Sequence, residues 1–468
     1  MKKINQFLYL VIIALILASQ SLMAAEQIIP SKTFMGDLPE MQKRSFIRAL
    51  VTYSKTDFFF YKGRPKGMQV EFLQQYEKWL NKGIKREENK TRIIFIPVTF
   101  DQLIPYLKDG KGDIAAAMLT ITPGRESQVN FASGGQMNVS ELLVSHKDAP
   151  QINTIEELSG KVVYVLKKSS YVEHLKELNL KFKEKGLAAI KIQEADSNLL
   201  SEDILELVNS GVRKYTVIDG YKGKLWAKVL PDIRLHDNLI ISPNNKVGWA
   251  IRKDNPLLAK SLNSFAQTVK KGTLMGNMLF KRYYAKTKWL KNPNSEEERK
   301  KLEKFIKLFK KYGGKYQFDY LALTAQAYQE SGLDNSKKSH RGAIGIMQLL
   351  PTTAADKNVN IPDIKSVENN IHAGAKYLAF LQKRYFSSDE ISPESKFAFS
   401  WAAYNAGPGN VRKMRKLAKE MGLDPNRWFN NVEMAAGKII GRETVQYVAN
   451  IFKYYIAYKL AESDGLHL

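Results

Sequence analysis

The chain has 468 residues, enough for about two to four domains, and its 44% hydrophobic and 11% aromatic content supplies ordinary globular cores, which excludes wholesale disorder. It has no cysteine, so disulfides, thiolate metal sites and cysteine nucleophiles are excluded; the six histidines lack metal-ligand spacing, and no metal or cofactor is expected. A formal charge of +25 attracts polyanions through long-range fields, although part of it can be solvated lysine on helix faces.

The chain opens with Met1-Lys2-Lys3, an apolar run from Phe7 to Ala18, and small residues at Ser19–Ser21 and Ala24-Ala25. Basic, apolar and small in that order predicts a secretory signal peptide over residues 1–25; the alternative, an uncleaved anchor, would need a longer apolar stretch. No cysteine follows the run, which rules out lipoprotein attachment. Export also weakens nucleic acid as the partner of the basic surface, for which no motif speaks, and favours wall polymer or anionic lipid.

From residue 46 to 290 strand-like and helix-like stretches alternate, the pattern of an α/β domain. The strands expected are Ile47–Tyr53, Ile93–Val98, Asp113–Met118, Lys161–Leu166 and Tyr215–Ile218. The pattern breaks at Lys291-Asn292-Pro293-Asn294-Ser295. Three glutamates follow, marking a helix start within a linker and connecting helix over 291–312. Residues 313–468 read as helical throughout: Phe318, Leu321, Ala325 and Tyr328 recur at helical spacing, as do Ile371, Ala375 and Leu378.

The stretch Ala325-Gln326-Ala327-Tyr328-Gln329-Glu330-Ser331-Gly332 places a glutamate in the last turn of an amphipathic helix, with Gly332 as the stop. The negative end of the helix dipole disfavours an ionised carboxylate there, as a general acid requires. Alone, a glutamate before a glycine is an ordinary surface residue. Downstream, in order, come Gly342-Ala343-Ile344-Gly345-Ile346-Met347-Gln348-Leu349, Glu368-Asn369-Asn370-Ile371-His372-Ala373-Gly374, Ala403-Tyr404-Asn405-Ala406-Gly407 and Glu443-Thr444-Val445-Gln446-Tyr447-Val448. Asp334, Glu368 and Glu443 are read as caps or turn residues, and His340 and His372 as ordinary surface histidines.

This ordered set resembles the lytic transglycosylase domain of the soluble-lytic-transglycosylase type, related to goose-type lysozyme. The resemblance implies cleavage of the β-1,4 bond between N-acetylmuramic acid and N-acetylglucosamine in peptidoglycan, leaving 1,6-anhydro ends. It makes Glu330 the single catalytic acid/base. It makes Ser331, Met347, Gln348, Tyr404, Asn405 and Tyr447 substrate-binding, with a packed tyrosine and a capping asparagine still open as readings of Tyr404 and Asn405.

Upstream, Gly112-Asp113-Ile114-Ala115-Ala116-Ala117-Met118-Leu119-Thr120-Ile121-Thr122-Pro123-Gly124-Arg125 is similar to the signature of periplasmic binding proteins for polar amino acids, and Gly248-Trp249-Ala250-Ile251-Arg252-Lys253 to their return strand. That resemblance implies two lobes, the second over about 145–245. Arg125 would hold a ligand carboxylate, Thr120 would offer a hydroxyl, and Asp219 would meet a ligand amino group. The family's usual Pro-Tyr is missing at Phe131-Ala132-Ser133-Gly134-Gly135, and its aromatic contact falls among Phe58, Phe59 and Phe60 without being fixed; a module kept only as scaffold is the other reading. Expected overall is a two-lobed, periplasmic-binding-protein-like α/β module followed by an all-α, lysozyme-like domain, the layout of the membrane-bound lytic murein transglycosylase F family. Its members are exported to the periplasm and associate peripherally with the outer membrane, and a muropeptide or amino-acid-like ligand is implied for the front module. Two alternatives remain at this point: a hydrolysing lysozyme on the same fold, and a receptor with a non-catalytic wall-binding domain.

Overall fold

The computed structural model describes residues 33–61, 64–132, 138–269, 278, 296–440 and 443–463. The expected signal peptide, the break at residues 291–295 and the stretch Ser133-Gly134-Gly135 lie outside them. The front module holds β1 (Phe46–Val51), the short pair β2 (Phe59–Tyr61) and β3 (Arg64–Lys66), β4 (Arg92–Pro97), β5 (Ile114–Thr120), β6 (Asn130–Ala132), β7 (Asn138–His146), β8 (Val162–Val165), β9 (Lys191–Glu194), β10 (Tyr215–Asp219) and β11 (Ile233–Ile251). The five strands expected from sequence are among them, with ends shifted by a few residues.

One sheet runs in the order β10-β7-β11-β5-β1-β4, with β6 also paired to β11. β1 is parallel to β4 and β5, and β11 is antiparallel to β5 and β7. β5 lies between β1 and β11, so it is buried almost end to end and reads as a continuous apolar run instead of an alternation. Buried Asp113, just before β5, is paired with Arg48 of β1 at 2.9 Å and approached by Arg252 at 3.6 Å, and Arg44 joins it. These pairs fix three strands at one end of the lobe and hold Thr120 at the other end of β5.

The second lobe packs β7, β8, β10 and the helix Ser170–Glu184 around Val163, Val165, Leu175 and Phe182. β7 starts at Asn138 and pairs with β11 from Lys246 back to Ile233. β11 runs unbroken from the second lobe into the first, with register shifts between Leu235 and Asn245.

The last part is helical: Glu296–Tyr316, Tyr320–Ser331, Pro351–Ala355, Val367–Tyr385, Pro393–Ala406, Pro408–Glu420, Glu433–Ile439 and Glu443–Ser463. Its core gathers Phe309, Phe399, Trp401, Trp428, Ile451 and Phe452. The terminal helix Glu443–Ser463 is buried on two sides. Val448, Ile451 and Phe452 face the helical core, while Ala457 and Ala461 enter the second lobe's core. The alanines let the helix backbone come close to that lobe.

Candidate active site

The helix Tyr320–Ser331 starts at Asp319, whose carboxylate accepts from Leu321 N at 2.8 Å and from the Tyr455 hydroxyl at 2.7 Å. It ends at Gly332, in the left-handed region at φ +66°, where the Gly332 N–H donates to Tyr328 O. This is the stop expected from sequence, and it leaves Glu330 in the last turn.

Glu330 Oε1 accepts a 2.5 Å hydrogen bond from the Tyr447 hydroxyl of the terminal helix. Burial pushes the Glu330 carboxyl up to about 7, against the opposing pull of Tyr447 and of Gln326 one turn earlier. Burial is thus the leading cause of the rise, and it favours the protonated form that a general acid needs. Among the described residues no second carboxylate figures among the groups that shift it. The Tyr447 and Tyr404 hydroxyls are both raised well above their ordinary value, first by burial and then by the Glu330 charge.

The loop from Gly342 to Leu349 passes beside the helix Tyr320–Ser331 and is tied down from several sides. Ser331 Oγ donates to Ile346 O at 2.8 Å, and the Tyr404 hydroxyl donates to Met347 O at 2.8 Å. Asn370, fully buried, accepts from Met347 N at 2.8 Å and donates to Ile344 O and Ile364 O, both at 3.0 Å. Gly345 sits at φ +81°, and a Cβ there would lie 2.2 Å from Asn370 Nδ2, so no side chain fits. Gln348 adopts φ +45°, and its amide nitrogen donates to Gly345 O at 2.8 Å and Lys337 O at 3.0 Å.

The sequence-derived residues thus come together, with different orientations. Ser331 and Met347 are buried and turned into the protein. Tyr404 braces the loop. Asn405 is exposed, with its Oδ1 accepting from Thr444 Oγ1 at 2.6 Å. Asp334 accepts from Ser336, Glu368 pairs with Lys311 and Tyr312, and His372 stacks on Tyr312, all structural roles. Asn370 and Gln326 were not singled out in the sequence, though both are polar residues on the apolar face of a helix, which is the signal that could have found them.

Tyr447→Phe removes a donor to the ionised carboxylate. The Glu330 pKa is then expected to rise further, moving the alkaline fall of activity to higher pH by roughly one unit; a pH–rate profile of the variant checks this.

In the front module, Thr120, Arg125 and Asp219 line one pocket between the lobes. Arg125 donates to Thr120 O at 2.8 Å and across the cleft to Lys168 O at 3.1 Å. Its aromatic lining comes from Phe100 and Tyr171. Phe58 is core and Phe59 packs against the second lobe; the Phe60 side chain lies outside the described set.

Residues 47–286, just over half of the chain, match the family of bacterial extracellular solute-binding proteins, family 3, and residues 307–425 match the transglycosylase SLT domain. Membrane-bound lytic murein transglycosylase F of Desulfosudis oleivorans is 29% identical over 439 residues, covering 90% of this chain and 91% of that relative. The protein of the same name from Pseudomonas fluorescens is 28% identical over 437 residues, covering 89% and 85%. The chain belongs to the membrane-bound lytic murein transglycosylase F family. As in that family's layout, a solute-binding module precedes the transglycosylase domain. A solved ancestral arginine-binding protein bound to arginine matches 52% of this chain and 99% of its own at 23% identity and a TM-score of 0.43.

Proposed function

We propose that this transglycosylase cleaves the β-1,4 bond between N-acetylmuramic acid and N-acetylglucosamine through Glu330 alone, closing a 1,6-anhydro ring. The observation that carries this reading is a half-buried carboxyl raised to about 7, with a tyrosine donor and no second carboxylate among the groups that shift it. Glu330 donates its proton to the glycosidic oxygen as the C1–O bond breaks, and the substrate's own acetamido oxygen stabilises C1. The resulting Glu330 carboxylate, held by Tyr447, then takes the proton of the C6 hydroxyl while that oxygen bonds to C1, which regenerates the acid. Gln348 and Asn405 are the polar groups proposed to meet the sugar, with Ser331, Met347 and Tyr404 shaping the groove from behind.

The first step needs protonated Glu330, so kcat/KM is expected to fall as pH rises through about 7. Release of soluble fragments from purified sacculi across pH 5–9 tests it; a rate still climbing above pH 8 would remove Glu330 as the acid.

The front module is proposed to bind a peptide-bearing wall fragment and thereby modulate the lyase. Support comes from the terminal helix that carries Tyr447. Lys453 on the same helix lies 3.4 Å from Asp203 and 3.8 Å from Glu206 in the second lobe, and Glu206 also pairs with Lys55 of the first lobe. A ligand that favours one arrangement of the lobes therefore bears on the helix holding the catalytic carboxyl. A saturating muropeptide is expected to change turnover severalfold, and unchanged turnover would end this part of the reading.

The protein is proposed to work in the periplasm, peripherally attached to the outer membrane. The relatives are named membrane-bound, and among the described residues no helix is long and apolar enough to cross a membrane.

A further inference from the structure

The pocket between the lobes contains a cation of its own. Lys222, on the helix Gly220–Trp226 of the second lobe, reaches into it and lies 3.6 Å from Asp57 of the first lobe. It also interacts with Asp219, which stands at the end of β10 on the pocket wall. Burial opposes the charge on Lys222, but Tyr221, Asp57 and Asp219 more than restore it, and its pKa stands well above the ordinary lysine value. Asp57 and Asp219 thus already share a positive charge, and the third carboxyl on the lining, buried Glu202, also interacts with Lys222 and is raised by burial toward its neutral form.

Two features remain for a ligand. Arg125 commits N–H groups to Thr120 O and Lys168 O and lies 3.9 Å from Glu173, leaving donors of its five-donor fork for a carboxylate. Asp219 is 5% exposed, and its Oδ1 is buried without a hydrogen-bond partner. That oxygen asks for an N–H donor, as buried acceptors do. A neutral amide N–H meets the need. An ammonium would bring a second full charge beside Lys222, in a place where like charges repel strongly.

We propose that Lys222 fills the ammonium position of this pocket, so that the front module selects carboxylate ligands whose nitrogen is acylated, such as N-acyl amino acids and amino-blocked peptides, over free amino acids. The carboxylate meets Arg125, the amide N–H meets Asp219 Oδ1, and Lys222 holds Asp57 throughout. The inference rests on the front module being a ligand-binding unit, and it goes beyond that reading by giving the ligand's chemistry.

Calorimetric titration of the purified exported protein with L-glutamine and with N-acetyl-L-glutamine tests it, and the wild-type comparison needs no substitution. The acetylated compound is expected to bind about tenfold more tightly or better. Lys222→Met is expected to reverse the order, because Asp57 and Asp219 then accept the free ammonium; Lys222→Gln, which keeps a polar group in place, serves if the methionine variant does not fold. A wild-type preference for free glutamine, or an order unchanged in a folded Lys222 variant, overturns the inference and leaves ligand binding by the module standing. Heat from neither compound, in wild type and variant alike, overturns the inference, while the binding role stands or falls by the effect of a saturating muropeptide on turnover. Cleavage of peptidoglycan is assayed separately and bears only on Glu330.

Discussion

Glu330→Gln is expected to abolish glycan cleavage, a loss of about 10³-fold or more in kcat, while the protein stays folded. The loss is large because one group serves twice, as acid in the first step and base in the second, and each role alone contributes about 10²–10⁴-fold. Glutamine keeps the shape and can still accept from the Tyr447 hydroxyl, but it can neither give nor take the proton. Stability is expected to move the other way. The carboxyl is raised from 4.5 to about 7 in the folded protein, so its favourable contribution is complete below the unfolded value and is lost as pH rises through about 7. Above pH 7 an ionised, largely buried carboxylate burdens the fold, and the glutamine variant should melt higher than wild type at pH 8, with a difference that shrinks toward pH 5. Thermal melts of both proteins at the two pH values check this, alongside turnover of sacculi.

Asn370→Ala is expected to be the most damaging substitution away from the carboxyl. Asn370 is fully buried and joins three backbone groups, Met347 N, Ile344 O and Ile364 O. Removing its amide leaves those groups without their partner, at about 1–3 kcal/mol for each left unsatisfied, so a total of about 3 kcal/mol or more is expected. The loop it holds is also the one anchored to the catalytic helix through Ser331 and to Tyr404 through Met347 O. A lower melting temperature should therefore come with a fall in kcat/KM of roughly a hundredfold, because misplaced groove atoms weaken the transition-state fit. Asn369→Ala, one residue away and partly exposed, is the control and should change both quantities little. Equal effects from the two variants would remove Asn370 from its place in the site.

Much of this site was legible in the sequence because local rules wrote it. Gly332 ends the catalytic helix at a left-handed φ, which sets Glu330 in the last turn, and Gly345 marks the close approach of the loop to a neighbouring side chain. The strands of the front module were legible for the same reason, since β1, β5 and β10 are short apolar runs between turn residues. What could not be read depends on contacts between distant segments. The raised pKa of Glu330 comes chiefly from burial, and its hydrogen-bond partner Tyr447 lies 117 residues further on, beyond the reach of a helix-end argument. Ser331 and Met347 come from the right motif, but whether a side chain faces the groove or its support is decided by how the loop crosses the helix. Lys222 carries no motif at all. Its meaning appears only when the two lobes bring Asp57 beside it.

The central claim is that one carboxyl does the chemistry and that the C6 hydroxyl, not water, attacks C1. Mass spectrometry of the fragments released from purified peptidoglycan in ¹⁸O-labelled water tests it most directly, with wild type and Glu330→Gln run in parallel. The account predicts anhydro-muropeptides without the label from wild type, and no released fragments from the variant. Reducing-end fragments carrying ¹⁸O from wild type would contradict it and make the protein a hydrolase.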